Sequence, residues 1–270
     1  MSIKIGITGS TGSLGKEIIK TKQGFDYSFF KGDIRDKKKV LKWTEGKKLD
    51  ALIHLAAIVP IKTVNRDKKK AYNVNHIGTK NIVDVVKKNK IKWFFFASTS
   101  HVYSSSTKKI SEKSKIRPIS FYGKTKLLSE NYIINQLKIS NTSYCIGRIF
   151  STTNKNQKKN YLVPDLKSKI KKSKKKITLY NLDHYRDFVS MKDISKIIFC
   201  LHKKKFKGII NIASGKGIHL KDIATCISKY YKKEIKFDDN KKKTYLIANI
   251  NKLKKIYKRS LEKKLKELLF

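Results

Sequence analysis

The chain has 270 residues, 39% of them apolar and only 3 of them proline, which is long enough for one large α/β domain or for one domain carrying a smaller second lobe, allows a full core and excludes global disorder. Its formal charge of +45 comes from 65 basic residues against 20 acidic ones. Only six of the basic residues are arginine (Arg35, Arg66, Arg117, Arg148, Arg186 and Arg259), and lysine is spread along the whole chain, so specific nucleic-acid recognition through arginine forks is not expected.

Lysine, isoleucine, asparagine, phenylalanine and tyrosine are abundant together, the pattern of an A/T-rich codon bias acting on solvated faces. Cys145, Cys200 and Cys226 have no CxxC or Cys/His spacing, and His54, His76, His101, His184, His202 and His219 have no metal-ligand spacing, so neither a metal nor a disulfide framework is expected. Residues 1–6 already read as a strand, which leaves no signal peptide. The longest apolar runs, 93–97 and 197–201, fall far short of the roughly 20 residues that cross a bilayer. A cytoplasmic protein with no membrane partner is the expectation.

In chain order, residues 3–8 predict a strand that runs into Gly9-Ser10-Thr11-Gly12-Ser13-Leu14-Gly15 and then into a helix over 14–22. Glycines after a strand permit a tight turn and close backbone approach, and the helix N-terminus offers N–H groups to a pyrophosphate. Only seven residues separate Gly24 from Gly32, too few for two strands with a helix between them. Residues 51–57 predict a buried strand, 71–88 a helix, and 93–98 a strand ending in the hydroxyl cluster Ser98-Thr99-Ser100. A helical pattern over 121–137 opens with Tyr122-Gly123-Lys124-Thr125-Lys126, which puts Tyr122 and Lys126 on one helix face. A lysine cation beside a phenol is expected to lower its pKa and fit it for acid/base work at a hydroxyl or carbonyl.

A strand over 143–150 follows, then a polar, lysine-rich stretch over 151–176, with later strands such as 209–213 between helical patterns. This alternation predicts a Rossmann-type doubly wound parallel sheet over 1–150 and a smaller C-terminal substrate lobe over 151–270, interleaved with the first domain.

The glycine turn, the hydroxyls after the strand at Trp93 and the YxxxK pair together resemble the extended short-chain dehydrogenase/reductase family, in particular its nucleotide-sugar epimerases, dehydratases and ketoreductases. The resemblance extends through Gly32-Asp33-Ile34-Arg35-Asp36, His54-Leu55-Ala56-Ala57, Asn73-Val74-Asn75, Arg148-Ile149-Phe150, Arg186-Asp187-Phe188 and Asn211-Ile212-Ala213-Ser214-Gly215. It implies an NAD or NADP cofactor held by Gly9, Thr11, Gly12, Ser13, Leu14, Gly15, Asp33, Ile34, Leu55, Ala56, Ala57, Asn75, Tyr122, Lys126 and Phe150, with Asp33 and Ile34 at the adenine. It further implies Thr99 as the catalytic hydroxyl, Tyr122 as the acid/base, and Lys126 as the group that holds the nicotinamide ribose and tunes Tyr122. Thr99, Ser100, Tyr122 and Arg186 would bind the substrate, with Arg186 clamping the diphosphate of a nucleoside-diphosphate sugar.

Ser100 and His101 stand where 4,6-dehydratases of this kind carry an Asp-Glu pair, and no cysteine lies near Thr99. The resemblance therefore points to 4-epimerisation or 4-keto reduction and leaves NAD against NADP open. His101 reads as a structural hydrogen-bonding residue rather than a proton relay. Reduction of a non-nucleotide carbonyl compound, or a non-catalytic dinucleotide-binding regulator, are the competing readings, and a homodimer is compatible with all of them.

Overall fold

The computed structural model describes residues 2–21, 24–154, 157, 161–261 and 264–270. The first body opens with β1 (Lys4–Thr8), α1 (Ser13–Lys20), β2 (Asp26–Phe29), α2 (Lys37–Thr44), β3 (Ala51–His54), α3 (Ile61–Arg66) and α4 (Lys68–Tyr72). A π-helical turn, Asn73–Ile77, joins α4 to α5 (Gly78–Lys88), and β4 (Trp93–Thr99), a 3-10 turn (Ser100–Val102), α6 (Phe121–Leu137) and β5 (Ser143–Ile149) follow. Position 22, where the sequence placed the end of the first helix, lies outside the described residues, as do Met1 and, within the polar stretch, 155, 156 and 158–160.

The main sheet has the strand order β2-β1-β3-β4-β5-β9, where β9 is Gly208–Ile212, and every pairing is parallel. Successive side chains of a strand point to opposite faces. Ile5, Ile7, Ile53 and Phe95 accordingly pack on one face with residues of α8 (Met191–Lys203), while Leu52, Phe94, Phe96 and Ile146 pack on the other with residues of α2, α5 and α6. The chain leaves β1 toward β2 on one side and returns to β3 on the other, so the strand order reverses between them. That switch point opens a crevice at the carboxyl ends of the strands, where ligands of such sheets bind. Between β1 and β3 there is a single strand, in keeping with the seven-residue spacing.

The smaller body holds β6 (Ser151–Thr153), α7 (Leu162–Lys172), β7 (Lys176–Tyr180), β8 (His184–Ser190), β10 (Gly217–His219), α9 (Leu220–Tyr231), β11 (Glu234–Asp238) and β12 (Thr244–Leu246). In it, β8 pairs with β10, β12 and β6, while β7 pairs with β11. Its core of Val163, Leu166, Ile170, Leu179, Phe188, Ile223 and Ile227 is separate from the two cores of the main sheet. The short helices α10 (Asn251–Ile256) and α11 (Leu265–Leu269) end the chain. The strand expected at 209–213 completes the main sheet beside β5 instead of joining the smaller body, and α8 covers that sheet with α1. No helix among the described residues is long and apolar enough to cross a membrane.

Candidate active site

At the end of β1 the backbone of Gly9 turns with φ +74°, and a Cβ there would come within 2.6 Å of the Ala56 nitrogen. A Cβ on Gly15 would overlap the Gly9 carbonyl, whereas one on Gly12 would meet only that oxygen, at 3.2 Å. Gly9 and Gly15 thus let α1 dock against the strand end, and Gly12 keeps the outer surface of the turn low. Gly12 caps α1, so the N–H groups of Ser13, Leu14 and Gly15 lack carbonyl partners inside the helix and face the crevice.

A cavity of about 560 Å³ runs from this turn past Leu55 and Ala57 to Thr99, Ser100, His101, Tyr122 and Phe150, and on to Tyr161, Asn181, His184 and Arg186. Three of its lining residues carry buried side-chain oxygens without a hydrogen-bond partner: Thr152 Oγ1, Gln157 Oε1 and Asn181 Oδ1. Orphaned acceptors in a cavity wall are costly unless a ligand or water satisfies them, so they mark a surface built to be covered.

Thr99 ends β4, accepts a hydrogen bond from His101 N at 3.2 Å, and lies close enough to the Tyr122 phenol to oppose part of its pKa rise. Tyr122 lies in the first turn of α6, capped by Ser120 Oγ, which accepts from Gly123 N at 3.1 Å. A Cβ on Gly123 would overlap the His101 carbonyl. Only glycine lets α6 approach the turn after β4 closely enough to bring Tyr122 to Thr99, so the Tyr-Gly dipeptide is a geometric requirement. The His101 ring stands edge-on to Tyr122 at 5.9 Å, and its pKa is pushed down to about 4 by burial and then by Arg186, so it is neutral at physiological pH.

Lys126 sits one turn after Tyr122 and is 2% exposed, with Nζ 3.8 Å from the centre of the Phe96 ring. The expected lowering of the Tyr122 pKa by Lys126 is not what the geometry gives. Burial, reinforced by the neighbouring Tyr161, drives the phenol well above its ordinary value, and Thr99 opposes this only in part. Lys126 itself is pulled down to about 7 by burial, with Glu130 holding it up. Burial works against the charged form of each group.

Behind them lies a buried polar network. Glu130 and Arg148, 1% and 3% exposed, pair at 2.6 Å, and Ser98 Oγ donates to the same carboxylate. Arg148 Nη1 donates to the Tyr103 hydroxyl at 2.8 Å, which donates to Asn211 Oδ1 at 2.8 Å. The network ties α6, β4, β5 and β9 together beneath the cavity.

Asn75 lies outside the cavity wall and fixes the loop after β3: its Oδ1 accepts from Ile58 N at 2.8 Å and its Nδ2 donates to Ile58 O at 3.0 Å and to Thr125 Oγ1 at 3.2 Å. The Asn75 carbonyl accepts from the hydroxyls of Thr79 and Ser129, side-chain donors that accompany the π-helical turn. Buried His54 bridges Thr8 Oγ1 at 2.6 Å and Thr79 Oγ1 at 3.0 Å and is held neutral by burial.

Of the other expected ligands, Thr11 is exposed on the glycine turn, Ala56 N donates to Thr8 Oγ1 at 3.4 Å, and Ile34 is buried against Gly78. Asp33 is exposed and paired with Arg35. Arg186 reaches the far end of the cavity from β8, donating to Tyr185 O at 2.7 Å, Thr244 O at 3.2 Å and Thr244 Oγ1 at 2.9 Å. It makes no ion pair with a carboxylate among the described residues, and burial lowers its pKa to about 10, so an anion there would be strongly favoured. The next residue, Asp187, is structural: its carboxylate accepts from Ser214 N and Oγ, Gly215 N and Ala248 N. Tyr161, Asn181, His184, Thr152 and Gln157 were not singled out from the sequence, since no motif marks them and only the folded chain gathers them.

The sequence model of the GDP-mannose 4,6 dehydratase family matches residues 7–267. The chain belongs to that family. GDP-6-deoxy-D-talose 4-dehydrogenase of Aggregatibacter actinomycetemcomitans is 31% identical over 226 residues, spanning 80% of this chain and 76% of that relative. UDP-glucose 4-epimerase of Lactobacillus helveticus is 24% identical over 62% of this chain and 56% of its own. Among solved structures, RMD from Pseudomonas aeruginosa complexed with NADPH superposes with TM-score 0.89 at 18% identity, covering 99% of this chain and 96% of its own. UDP-glucose 4-epimerase of Thermus thermophilus in complex with NAD superposes with TM-score 0.88 at 19% identity, covering 99% and 97%. Both share the parallel-sheet fold described here, and this family member is an extended short-chain dehydrogenase/reductase of the nucleotide-sugar type.

Proposed function

We propose that the chain is an NAD(P)-dependent oxidoreductase acting at C4 of a nucleoside-diphosphate sugar, as a 4-ketoreductase or 4-epimerase, with Thr99, Tyr122 and Lys126 as its catalytic set. One observation carries the reading: a single cavity joins the glycine turn, the Thr99–Tyr122 pair and a carboxylate-free arginine, Arg186. The low glycine turn, the α1 N-terminus and the orphaned oxygens fit a nicotinamide dinucleotide laid along the crevice. When bound, that cofactor supplies hydride transfer.

The protein's own work is binding and proton handling. Arg186 holds the substrate's diphosphate, which places the sugar ring against Thr99 and Tyr122. Thr99 hydrogen-bonds the C4 oxygen, and Tyr122 passes a proton to or from it. With its pKa raised by burial, Tyr122 holds its proton at neutral pH, so it is ready to donate to a C4 carbonyl oxygen. Taking a proton from a C4 hydroxyl requires further positive charge near the phenol, which protonation of Lys126 would bring. Ser100 and His101 provide no carboxyl group for the water elimination of a dehydratase.

The relative named as a GDP-6-deoxy-D-talose 4-dehydrogenase makes GDP-linked 6-deoxyhexoses and their 4-keto forms the first compounds to try. Incubation with GDP-, UDP- and dTDP-linked sugars and reduced or oxidised nicotinamide cofactor, read by nicotinamide absorbance and by mass spectrometry of the products, tests the proposal. Turnover that vanishes in Tyr122→Phe supports it; no turnover with any nucleotide sugar alongside reduction of a simple ketone would favour the non-nucleotide reductase.

A further inference from the structure

The structural hydrogen bond expected of His101 is not made by its ring. The backbone is engaged: His101 N donates to Thr99 Oγ1 at 3.2 Å, and the His101 carbonyl packs against Gly123 so closely that a Cβ there would overlap it. The 3-10 turn that carries the residue is thereby pinned to β4 on one side and to α6 on the other. The imidazole itself lines the cavity, edge-on to Tyr122, and neither ring nitrogen hydrogen-bonds a described residue. A side chain with two hydrogen-bonding nitrogens, held rigidly in a cavity wall and left uncommitted, is a group that waits for a ligand.

Its position says which part of a ligand would reach it. In the site proposed above, Thr99 and Tyr122 take the C4 oxygen of the sugar and Arg186 takes the diphosphate on C1. The His101 ring stands 5.9 Å from the Tyr122 ring, centre to centre, and it feels the Arg186 charge, the second cause of its lowered pKa. A sugar held between those two anchors therefore lies against His101 with the part of its ring that runs from C4 to C1.

A pyranose has two such edges. The C2–C3 edge carries hydroxyls, each a donor and an acceptor, whereas the other edge carries the ring oxygen and C6. With a pKa pushed down to about 4, His101 is neutral at physiological pH and offers one N–H donor and one bare nitrogen at once, the pair that complements a hydroxyl. The loop after β3 supplies a wall of the other kind. Val59 packs on the small apolar cluster that holds Tyr122 and lines the cavity with Pro60 and Ile61, none of which has a side-chain hydrogen bond to give.

We propose that His101 is a specificity-determining residue that hydrogen-bonds a hydroxyl on the C2–C3 edge of the sugar. The inference rests on the nucleotide-sugar site proposed above. It narrows the substrate class to sugars hydroxylated on that edge, and it gives His101 a binding role without proton transfer.

Calorimetric titration of the intact protein with GDP-mannose, UDP-glucose and dTDP-glucose, each set against GDP, UDP or dTDP, measures the affinity that the sugar adds. His101→Phe keeps a ring against Tyr122 and removes both nitrogens. It should lower the sugar's added affinity by roughly 3- to 10-fold, the usual contribution of a neutral hydrogen bond, while the nucleoside diphosphate alone binds as before. His101→Gln, which restores a donor and an acceptor without the ring, should recover most of the loss. The same loss in His101→Phe should appear with GDP-6-deoxymannose and UDP-xylose, which have no C6 hydroxyl. A silent His101→Phe beside a defective His101→Gln would make the ring a packing element, and a loss confined to sugars with a C6 hydroxyl would put it on the other edge. Either result overturns the assignment and leaves the site standing. So does deuterium uptake from heavy water at C3 or C5 of GDP-4-keto-6-deoxymannose that disappears in His101→Phe, since that is proton transfer. If the wild type binds none of the sugar nucleotides more tightly than its nucleoside diphosphate, the nucleotide-sugar site itself is overturned.

Discussion

Replacing Arg186 by lysine keeps the charge at the far end of the cavity and removes the planar fork. In the structure, Nη1 is committed to Tyr185 O and Thr244 O, and Nη2 shares one of its hydrogens with Thr244 Oγ1. Two of the five N–H groups of a guanidinium, on Nε and Nη2, are left along one edge. That edge matches two oxygens of a diphosphate, and the contacts to Tyr185 and Thr244 fix its direction before any ligand arrives. A lysine ammonium can follow the charge but offers one bond where two ran in parallel, and nothing holds it aimed. The loss should be about 1 to 3 kcal/mol, or roughly 5- to 150-fold in affinity for a nucleoside diphosphate. Calorimetric titration of wild type and Arg186→Lys with GDP, UDP and dTDP at two salt concentrations measures it, with NADPH titrated in parallel and expected to change little. If the variant binds every nucleoside diphosphate as the wild type does, Arg186 is no diphosphate clamp. A loss shared equally with the cofactor would point to general electrostatics instead.

Tyr122→Phe should leave cofactor binding intact and lower turnover by on the order of 10² to 10⁴, the usual contribution of a positioned acid/base, as read by steady-state kinetics. Gly12→Val raises the surface of the glycine turn where its Cβ meets only the Gly9 carbonyl, so calorimetry should find cofactor affinity lost while circular dichroism stays unchanged. Lys126 has its folded-state pKa lowered from 10.5 to about 7, so between those values the unfolded chain binds a proton that the folded chain does not. Its stability contribution is present above about pH 10.5 and is lost as pH falls toward 7. Lys126→Met should flatten the pH dependence of the melting temperature in that window and raise stability most at its lower end, and melts across it check the sign. Glu130→Gln leaves the buried Arg148 guanidinium without its counter-ion and should cost about 3 to 5 kcal/mol in urea denaturation.

The sequence made visible what depends on local periodicity and on spacing. Four apolar residues in a row, Trp93 to Phe96, all with strand-favouring aromatic side chains, fit a strand buried on both faces, and the three hydroxyls that follow then fall at its carboxyl end. The count from Gly24 to Gly32 was enough to foresee a sheet with one strand between β1 and β3. The Tyr122–Lys126 spacing placed both residues on one face of α6, but not their titration, because desolvation depends on neighbours such as Phe96 and Tyr161 that come from distant segments. Thr152, Gln157, Asn181 and His184 were invisible for a related reason: each is an ordinary polar residue of a strand or loop until the fold brings it to one wall. The place of β9 was equally hidden, since its apolar run suits either sheet and only its pairing with β5 decides.

That pairing sets the order in which the molecule can be made. Until residues 208–212 have left the ribosome, β5 presents an open edge, and the face of the sheet later covered by Ile194, Ile197 and Ile198 stays bare. Exposed strand edges and apolar faces are what nascent chains aggregate through. The first half of the chain should therefore gain its stability late in synthesis, together with the half that follows it. A fragment ending at residue 150 would carry every glycine of the turn after β1 and both Tyr122 and Lys126, yet lack the strand and helix that close their sheet.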